Sequence, residues 1–275
     1  MDKIAVVTGA GGTLCSRIAI DLAEKGYKLV LIGRHIEKLM VTEEKIQAAG
    51  GSCICVSADV TDESQVLKAR DIVRKTFGLC NVLINGAGGN QPDAVTTINA
   101  FDGSELTPGH EGRGFFDLDM SVCSSVINAN TMGTVIPCRV FAEDMIAAGG
   151  GSIVNFASMN TYRPLSRVPA YAMSKAAVSN FTQWLAAYLA PAGIRVNAVA
   201  PGFFLNERSR KLLLTPDGGY SPRGANIIRQ TPMKRFGEAE DLLGCVGWLV
   251  DDKLSGFVTG ITVPVDGGFL SDSGL

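Results

Sequence analysis

Short apolar runs rich in β-branched residues alternate along the chain with longer stretches whose apolar positions recur at helical spacing. The runs predict strands over residues 4–8, 29–32, 53–57, 82–85, 153–156, 195–200 and 261–265. The longer stretches predict helices over 14–25, 36–49, 63–77, 126–147, 170–189 and 239–250. Because the runs are apolar throughout rather than at every second position, both faces of their sheet must be covered. Strict alternation of strand and helix then makes the strands parallel. The expected fold is α/β: a doubly wound parallel sheet of about seven strands with helices on both faces, one domain spanning 1–275.

Two stretches break the rhythm. Residues 88–115 are polar and glycine-rich, and residues 202–232 carry a small helix, 207–214, followed by a Pro/Gly-rich turn. Both follow strand C-termini, the edge at which ligands sit in such sheets. Loops this long in a compact domain are usually functional. Residues 203–232 therefore read as a substrate lid, with Gly218, Gly219 and Gly224 as hinge points.

Composition narrows the function classes. The chain is 46% hydrophobic and 19% charged, so there is ample material for a core. A net charge of −2 and a pI near 5.8 argue against a nucleic-acid partner. No apolar run approaches the roughly 18 residues of a membrane span. Met1-Asp2-Lys3 leads at once into an apolar run and then glycines, which reads as a buried strand rather than a signal peptide. Seven scattered cysteines with no C-x-x-C pair fit reduced core thiols, and a cytoplasmic location is the expectation. With two histidines, His35 and His110, a histidine-rich metal site is excluded, and no metal is expected.

The first predicted strand runs straight into Gly9-Ala10-Gly11-Gly12-Thr13 and then a helix. A glycine-rich turn there sets free amides and a positive helix end against a dinucleotide pyrophosphate, the Rossmann arrangement. The second strand ends in Ile32-Gly33-Arg34, with no carboxylate to accept from an adenine ribose 2′-hydroxyl. Arg34 instead offers a fork suited to a 2′-phosphate, so NADP(H) is favoured and NAD(H) remains possible. Asp59 and Asn85-Gly86-Ala87-Gly88, at the ends of strands three and four, would flank the adenine side.

Tyr171 and Lys175 stand one helical turn apart, on one face. A lysine cation beside a phenol favours the phenolate and brings it nearer working pH, as a proton donor to a reduced carbonyl requires. This spacing alone is common in helices. Ser158, just past the fifth strand, can hold a carbonyl, and Asn130, a mid-helix amide of poor helix propensity, can serve a proton relay through water.

In order and spacing, Gly9, Asp59, Asn85-Gly86-Ala87-Gly88, Asn130, Ser158, Tyr171-x-x-x-Lys175, Asn197 and Pro201-Gly202 resemble the short-chain dehydrogenase/reductase family over essentially the whole chain. The resemblance implies a catalytic tetrad of Asn130, Ser158, Tyr171 and Lys175, with Lys175 also holding the nicotinamide ribose. It implies cofactor contacts from Gly9, Gly11, Gly12, Thr13, Leu14, Arg34, Asp59, Val60, Asn85, Gly86, Ala87, Gly88, Pro201, Gly202, Phe204 and Asn206. It also implies a homotetramer, or less often a homodimer, built partly from the helices bearing Asn130 and Tyr171. Two departures stand out. The family's Thr-Gly-x-x-x-Gly-x-Gly loop has Thr13 and Cys15 at its second and third glycines here, where a Cβ should crowd the pyrophosphate or the helix–strand contact. Asn206 replaces a threonine often found near the carboxamide.

The motifs Asn85-Gly-Ala-Gly-Gly-Asn90, Ser158-Met-Asn160, Pro201-Gly-Phe-Phe-Leu205 and Pro264-Val-Asp-Gly-Gly-Phe269 are similar to one branch of that family, the D-mannonate oxidoreductases or fructuronate reductases. A small hydroxylated anion asks for a cation and several amide or hydroxyl partners. Asn90 and Gln91 open the first long loop, Asn206 and Arg208 the second, and Asn160, Arg163 and Arg167 lie between Ser158 and Tyr171. Substrate contacts are thus expected from Asn90, Ser158, Asn160, Arg163, Arg167 and Tyr171, with Arg163 or Arg167 on the carboxylate. A gluconate 5-dehydrogenase-like enzyme and a 3-oxoacyl-carrier-protein reductase are the alternative enzymes, although no clustered basic docking patch marks the latter. A cofactor-binding sensor is the non-enzyme alternative; it would be free to lose Tyr171, Lys175 or Ser158, and all three are present.

Overall fold

The computed structural model describes residues 3–272. Seven strands alternate with helices: β1 (Ile4–Thr8), α1 (Thr13–Glu24), β2 (Lys28–Gly33), α2 (Ile36–Ala48), β3 (Cys53–Ser57), α3 (Glu63–Thr76), β4 (Val82–Asn85), α4 (Met120–Ala147), β5 (Gly151–Phe156), α5 (Pro169–Leu189) and β6 (Ile194–Pro201). Then come α6 (Glu207–Leu213), α7 (Pro222–Gln230), α8 (Leu243–Val250) and β7 (Thr262–Val265). All strands join one sheet in the order β3-β2-β1-β4-β5-β6-β7, every pair parallel. This is a Rossmann-type α/β fold, and the strand order reverses between β1 and β4, where a crevice opens beyond the carboxyl ends.

Burial follows the period of two. Ala5, Val7, Leu29 and Leu31 face a core shared with α1, α2 and α8, while Val6, Val30 and Ile32 face one shared with α3, α4 and α5. Both faces are dry, which explains strands without polar alternation. Among the described residues, no helix is long and apolar enough to cross a membrane.

Three elements differ from the sequence expectation. The α4 helix begins at Met120 rather than 126, because the Asp119 carboxylate accepts from the Ser121 and Val122 amides at 2.8 and 3.1 Å. Such a cap is worth ~1 kcal/mol and outweighs the weak propensity of a serine-rich first turn. The stretch expected to be one helix over 239–250 splits into a 3₁₀ turn, Ala239–Leu242, and α8. Where a Pro/Gly-rich turn was expected, α7 forms: Ser221 Oγ caps the Gly224 amide at 3.1 Å and Pro222 takes the first helical position. Gly224 is accordingly no hinge. It is buried in α7, and any side chain there would overlap the Leu213 carbonyl at the end of α6.

Candidate active site

The candidate chemistry gathers at the C-terminal edge of the sheet. After β1 the chain turns at Gly9 with φ +68°, a left-handed backbone that favours glycine. A side chain there would begin 2.8 Å from the Ala87 nitrogen, so β1 and the turn after β4 touch backbone to backbone. Thr8 tightens this contact, its hydroxyl accepting from the Gly86 and Ala87 amides at 3.2 Å each. Gly12 sits at the cap position of α1, with no side chain closing it. The first amides of the helix, from Thr13 and Leu14, thus stay open at its positive end. That donor set fits a pyrophosphate.

Cys15 resolves the first departure from the glycine pattern. Its buried sulfur fills the space over Gly86, where any side chain would overlap it. Burial pushes the thiol up to about 12, so it is a packing group and not a nucleophile. Thr13 is exposed at the start of α1. At the adenine end, Arg34 is exposed beyond β2. The Asp59 carboxylate is held below its usual range by the Thr61 amide and hydroxyl, at 2.9 and 2.7 Å, and more weakly by the charge of Arg34. Val60 is buried and faces Gly133 of α4.

Three elements bring the four expected catalytic side chains together. Ser158 follows β5 and caps a short turn, its Oγ accepting from the Asn160 amide at 3.2 Å. The Tyr171 phenol on α5 lies within reach of Ser158. One turn on, the Lys175 ammonium lies 5.6 Å from the Tyr171 ring centre and donates to the Phe156 carbonyl at 2.7 Å. Asn130, fully buried in α4, accepts from the Gly89 amide at 3.1 Å and donates to the Gly89 and Val126 carbonyls at 2.7 and 2.8 Å. Gly88 is wedged between: a side chain there would overlap Asn130 Oδ1 and begin 3.7 Å from Lys175 Nζ. Asn130 therefore pins the turn that runs past the lysine.

The electrostatics differ from expectation on one point. Rather than the lysine drawing the phenol down, burial pushes the Tyr171 phenol up, with the Ser158 hydroxyl opposing it. Burial also lowers Lys175 to about 8. Two ammonium donors remain beyond the bond to Phe156, available to a ribose hydroxyl.

Four expected contact residues have their side chains engaged elsewhere. Asn85 is buried in a polar ladder, donating to Cys138 Sγ at 3.1 Å and Asn155 Oδ1 at 2.9 Å, so only its backbone borders the crevice. Phe204 is buried against Gly237 in the core. Asn206 caps α6, accepting from the Ser209 amide at 2.9 Å. Asn160 is buried behind Ser158, donating to its Oγ at 3.1 Å and accepting from the Leu165 amide at 3.0 Å. Gln91 braces α4 through Ser125 at 2.9 Å and takes the Asn90 side chain on its amide at 2.9 Å. The Gly202 amide donates to Val265 at 2.9 Å, fixing the Pro201-Gly202 turn against β7. The Arg208 side chain lies outside the described residues.

A cavity of about 440 Å³ opens between the segment after Ser158 and α7. Arg163 and Arg167 line one wall, and Arg223, Asn226 and Gln230 of α7 line the other. Among the described residues, no aspartate or glutamate lines it. Sequence reasoning missed the α7 residues, because a Pro-Arg-Gly stretch reads as turn; the Ser221-Pro222 cap pair was the available signal.

A twisted parallel sheet with a dinucleotide crevice at its switch point, and a Ser-Tyr-Lys cluster beside it, defines a nicotinamide-dependent oxidoreductase fold. A family model described as short chain dehydrogenase matches residues 3–215, and the chain belongs to that short-chain dehydrogenase/reductase family. It is 45% identical over 273 residues to an uncharacterized oxidoreductase, UxuB, of Bacillus subtilis, covering 99% of this chain and 96% of that one. A solved structure of a candidate D-mannonate oxidoreductase from Haemophilus influenzae, with bound NAD, is 41% identical with a TM-score of 0.94, covering 99% and 96% of the two chains. A gluconate 5-dehydrogenase from Burkholderia cenocepacia, in complex with NADP and tartrate, is 27% identical with a TM-score of 0.81, covering 98% and 96%. The chain is thus an oxidoreductase acting on alcohol and keto groups with NAD or NADP.

Proposed function

We propose that this enzyme interconverts a keto sugar acid and its alcohol, D-fructuronate and D-mannonate first among them. The observation that carries the reading is a cavity between the segment after Ser158 and α7, lined by three arginines and, among the described residues, by no aspartate or glutamate, in a chain whose net charge is −2. Such a pocket recognises an anion and disfavours an acyl chain or steroid. The likeness to a candidate D-mannonate oxidoreductase supports it. A nicotinamide cofactor, when bound, would supply the hydride. Tyr171 gives its proton to the carbonyl oxygen, which Ser158 Oγ holds in place. Lys175 binds the nicotinamide ribose, and Asn130 keeps the Gly88–Gly89 backbone where both can act. Residues 203–232 close over the substrate, with α7 carrying the inner face. The exposed rings of Trp184 and Tyr188, stacked at 5.1 Å on α5, support a homotetramer or homodimer through that helix. A cytoplasmic location belongs to the same reading.

Purified protein offered NADPH or NADH with D-fructuronate, 5-ketogluconate, a 3-oxoacyl thioester and D-fructose is expected to oxidise the cofactor fastest with a sugar acid. Preference for the thioester or the neutral ketose would replace this reading.

Arg34 favours NADP(H) over NAD(H), by pairing with the 2′-phosphate. Arg34→Ala should weaken NADPH binding about 10-fold or more while leaving NADH binding within about 2-fold, as expected for loss of a charge-assisted contact. Equal titration of both cofactors, before and after the change, would refute the 2′-phosphate role of Arg34.

A further inference from the structure

We propose that Asn99 is a positioning residue that sets the Arg167 fork against Arg223, so that the two guanidinium groups close on the substrate carboxylate from opposite walls of the cavity. This deepens the sugar-acid reading and rests on it.

Arg167 has φ +76°, a left-handed backbone that an arginine adopts only when its surroundings impose it. Two bonds from the first long loop impose it here. The Thr96 amide donates to the Arg167 carbonyl at 3.0 Å, and Asn99 Oδ1 accepts from Arg167 Nε at 2.6 Å. That loop is itself anchored. Arg113 donates through its amide to Thr97 Oγ1 at 2.6 Å, through its guanidinium to the Pro92 carbonyl at 2.6 Å, and pairs with Asp93 at 2.9 Å. The loop thus acts as a strut under Arg167.

The choice of an amide matters chemically. Asn99 takes the Nε–H and leaves both terminal nitrogens of the fork free, without neutralising the charge. An aspartate at the same place would hold the arginine equally well and cancel it. Across the cavity, Arg223 makes no ion pair or hydrogen bond among the described residues. Arg163, by contrast, stacks over the Phe269 ring at 5.7 Å and donates to the Asp272 carbonyl at 3.4 Å. Of the two arginines open at the sequence level, Arg167 is therefore the carboxylate ligand and Arg163 a wall group. Two forks meeting one carboxylate from different elements also tie its capture to the placement of α7.

Three variants test this: Asn99→Asp, Asn99→Ala and Arg223→Ala. With D-fructuronate, each should raise KM about 10- to 100-fold with kcat within about 3-fold, and KM for D-fructose should move at least 10-fold less. Asn99→Asp should be the most damaging of the Asn99 pair despite keeping the hydrogen bond, a pattern a merely structural role would not give. Equal effects on acid and ketose, or a harmless Asn99→Asp, would overturn the proposal. Tartrate binding, read by calorimetry without turnover, separates the two readings. If wild type binds tartrate and the variants bind it at least 10-fold more weakly, the carboxylate clamp stands even where fructuronate is not turned over. If wild type does not bind it, the clamp falls.

Discussion

Replacing Tyr171 with phenylalanine is expected to lower kcat by about 10²- to 10⁴-fold, the usual worth of a positioned proton donor, with KM and cofactor affinity changed little. The ring is packed against the Val126, Leu118 and Ala170 cluster and lies beside the Lys175 ammonium, contacts that phenylalanine keeps. The loss is then that of one hydroxyl, between Ser158 Oγ and the substrate oxygen. Burial raises the phenol, so at neutral pH it is protonated and ready to reduce a ketone. Reduction should stay flat through neutrality and fall only at alkaline pH, whereas oxidation, which needs the phenolate, should rise there. Stopped-flow following of the reduced nicotinamide at several pH values reads both. A Tyr171→Phe enzyme that keeps wild-type kcat or its alkaline limb would assign the proton to another group.

The strands were legible because dry parallel strands leave an unbroken apolar run, and all seven are found within two residues of where the runs place them. The gathering of Ser158, Tyr171 and Lys175 was legible for a different reason: they are tied to strand ends and helical spacing, which a one-dimensional pattern carries. What failed depends on tertiary partners. Asn85, Asn160 and Asn206 are all amides at the right end of the sheet, yet each side chain serves a neighbour: Asn155, Ser158 and the α6 amides. Nothing in an asparagine's identity says whether it turns to a ligand or a cap. Gly224 misled in the same way, since a glycine needed for close packing and one needed for a hinge look alike in sequence. The left-handed Arg167 was invisible, because its conformation is imposed by Thr96 and Asn99, about seventy residues earlier.

Cys15 and Gly86 give the second large expected effect. The departure at position 15 puts a sulfur where the family pattern has hydrogen, and the structure meets it with a glycine opposite. Gly86→Ala should therefore destabilise the fold by about 1–3 kcal/mol, the usual range for overpacking a filled core. The new methyl would overlap Cys15 Sγ and press on the Thr8 carbonyl at 3.2 Å, and neither neighbour is free to yield. Thr8 is fixed in β1, and Cys15 lies in the first turn of α1. Relief must come from shifting α1, which moves its open amides off the pyrophosphate, so cofactor affinity should fall along with stability. Cys15→Ala in the same chain removes the sulfur and leaves the two β-carbons 3.6 Å apart, an ordinary contact. The double variant should thus be more stable than Gly86→Ala alone, although Cys15→Ala by itself, which opens a small cavity, should cost stability. Thermal unfolding of the four proteins, with and without cofactor, gives the coupling, expected at about 1 kcal/mol or more and of compensating sign. Strict additivity would mean that the thiol and the glycine are not packed against each other, and that some other contact accommodates the altered loop.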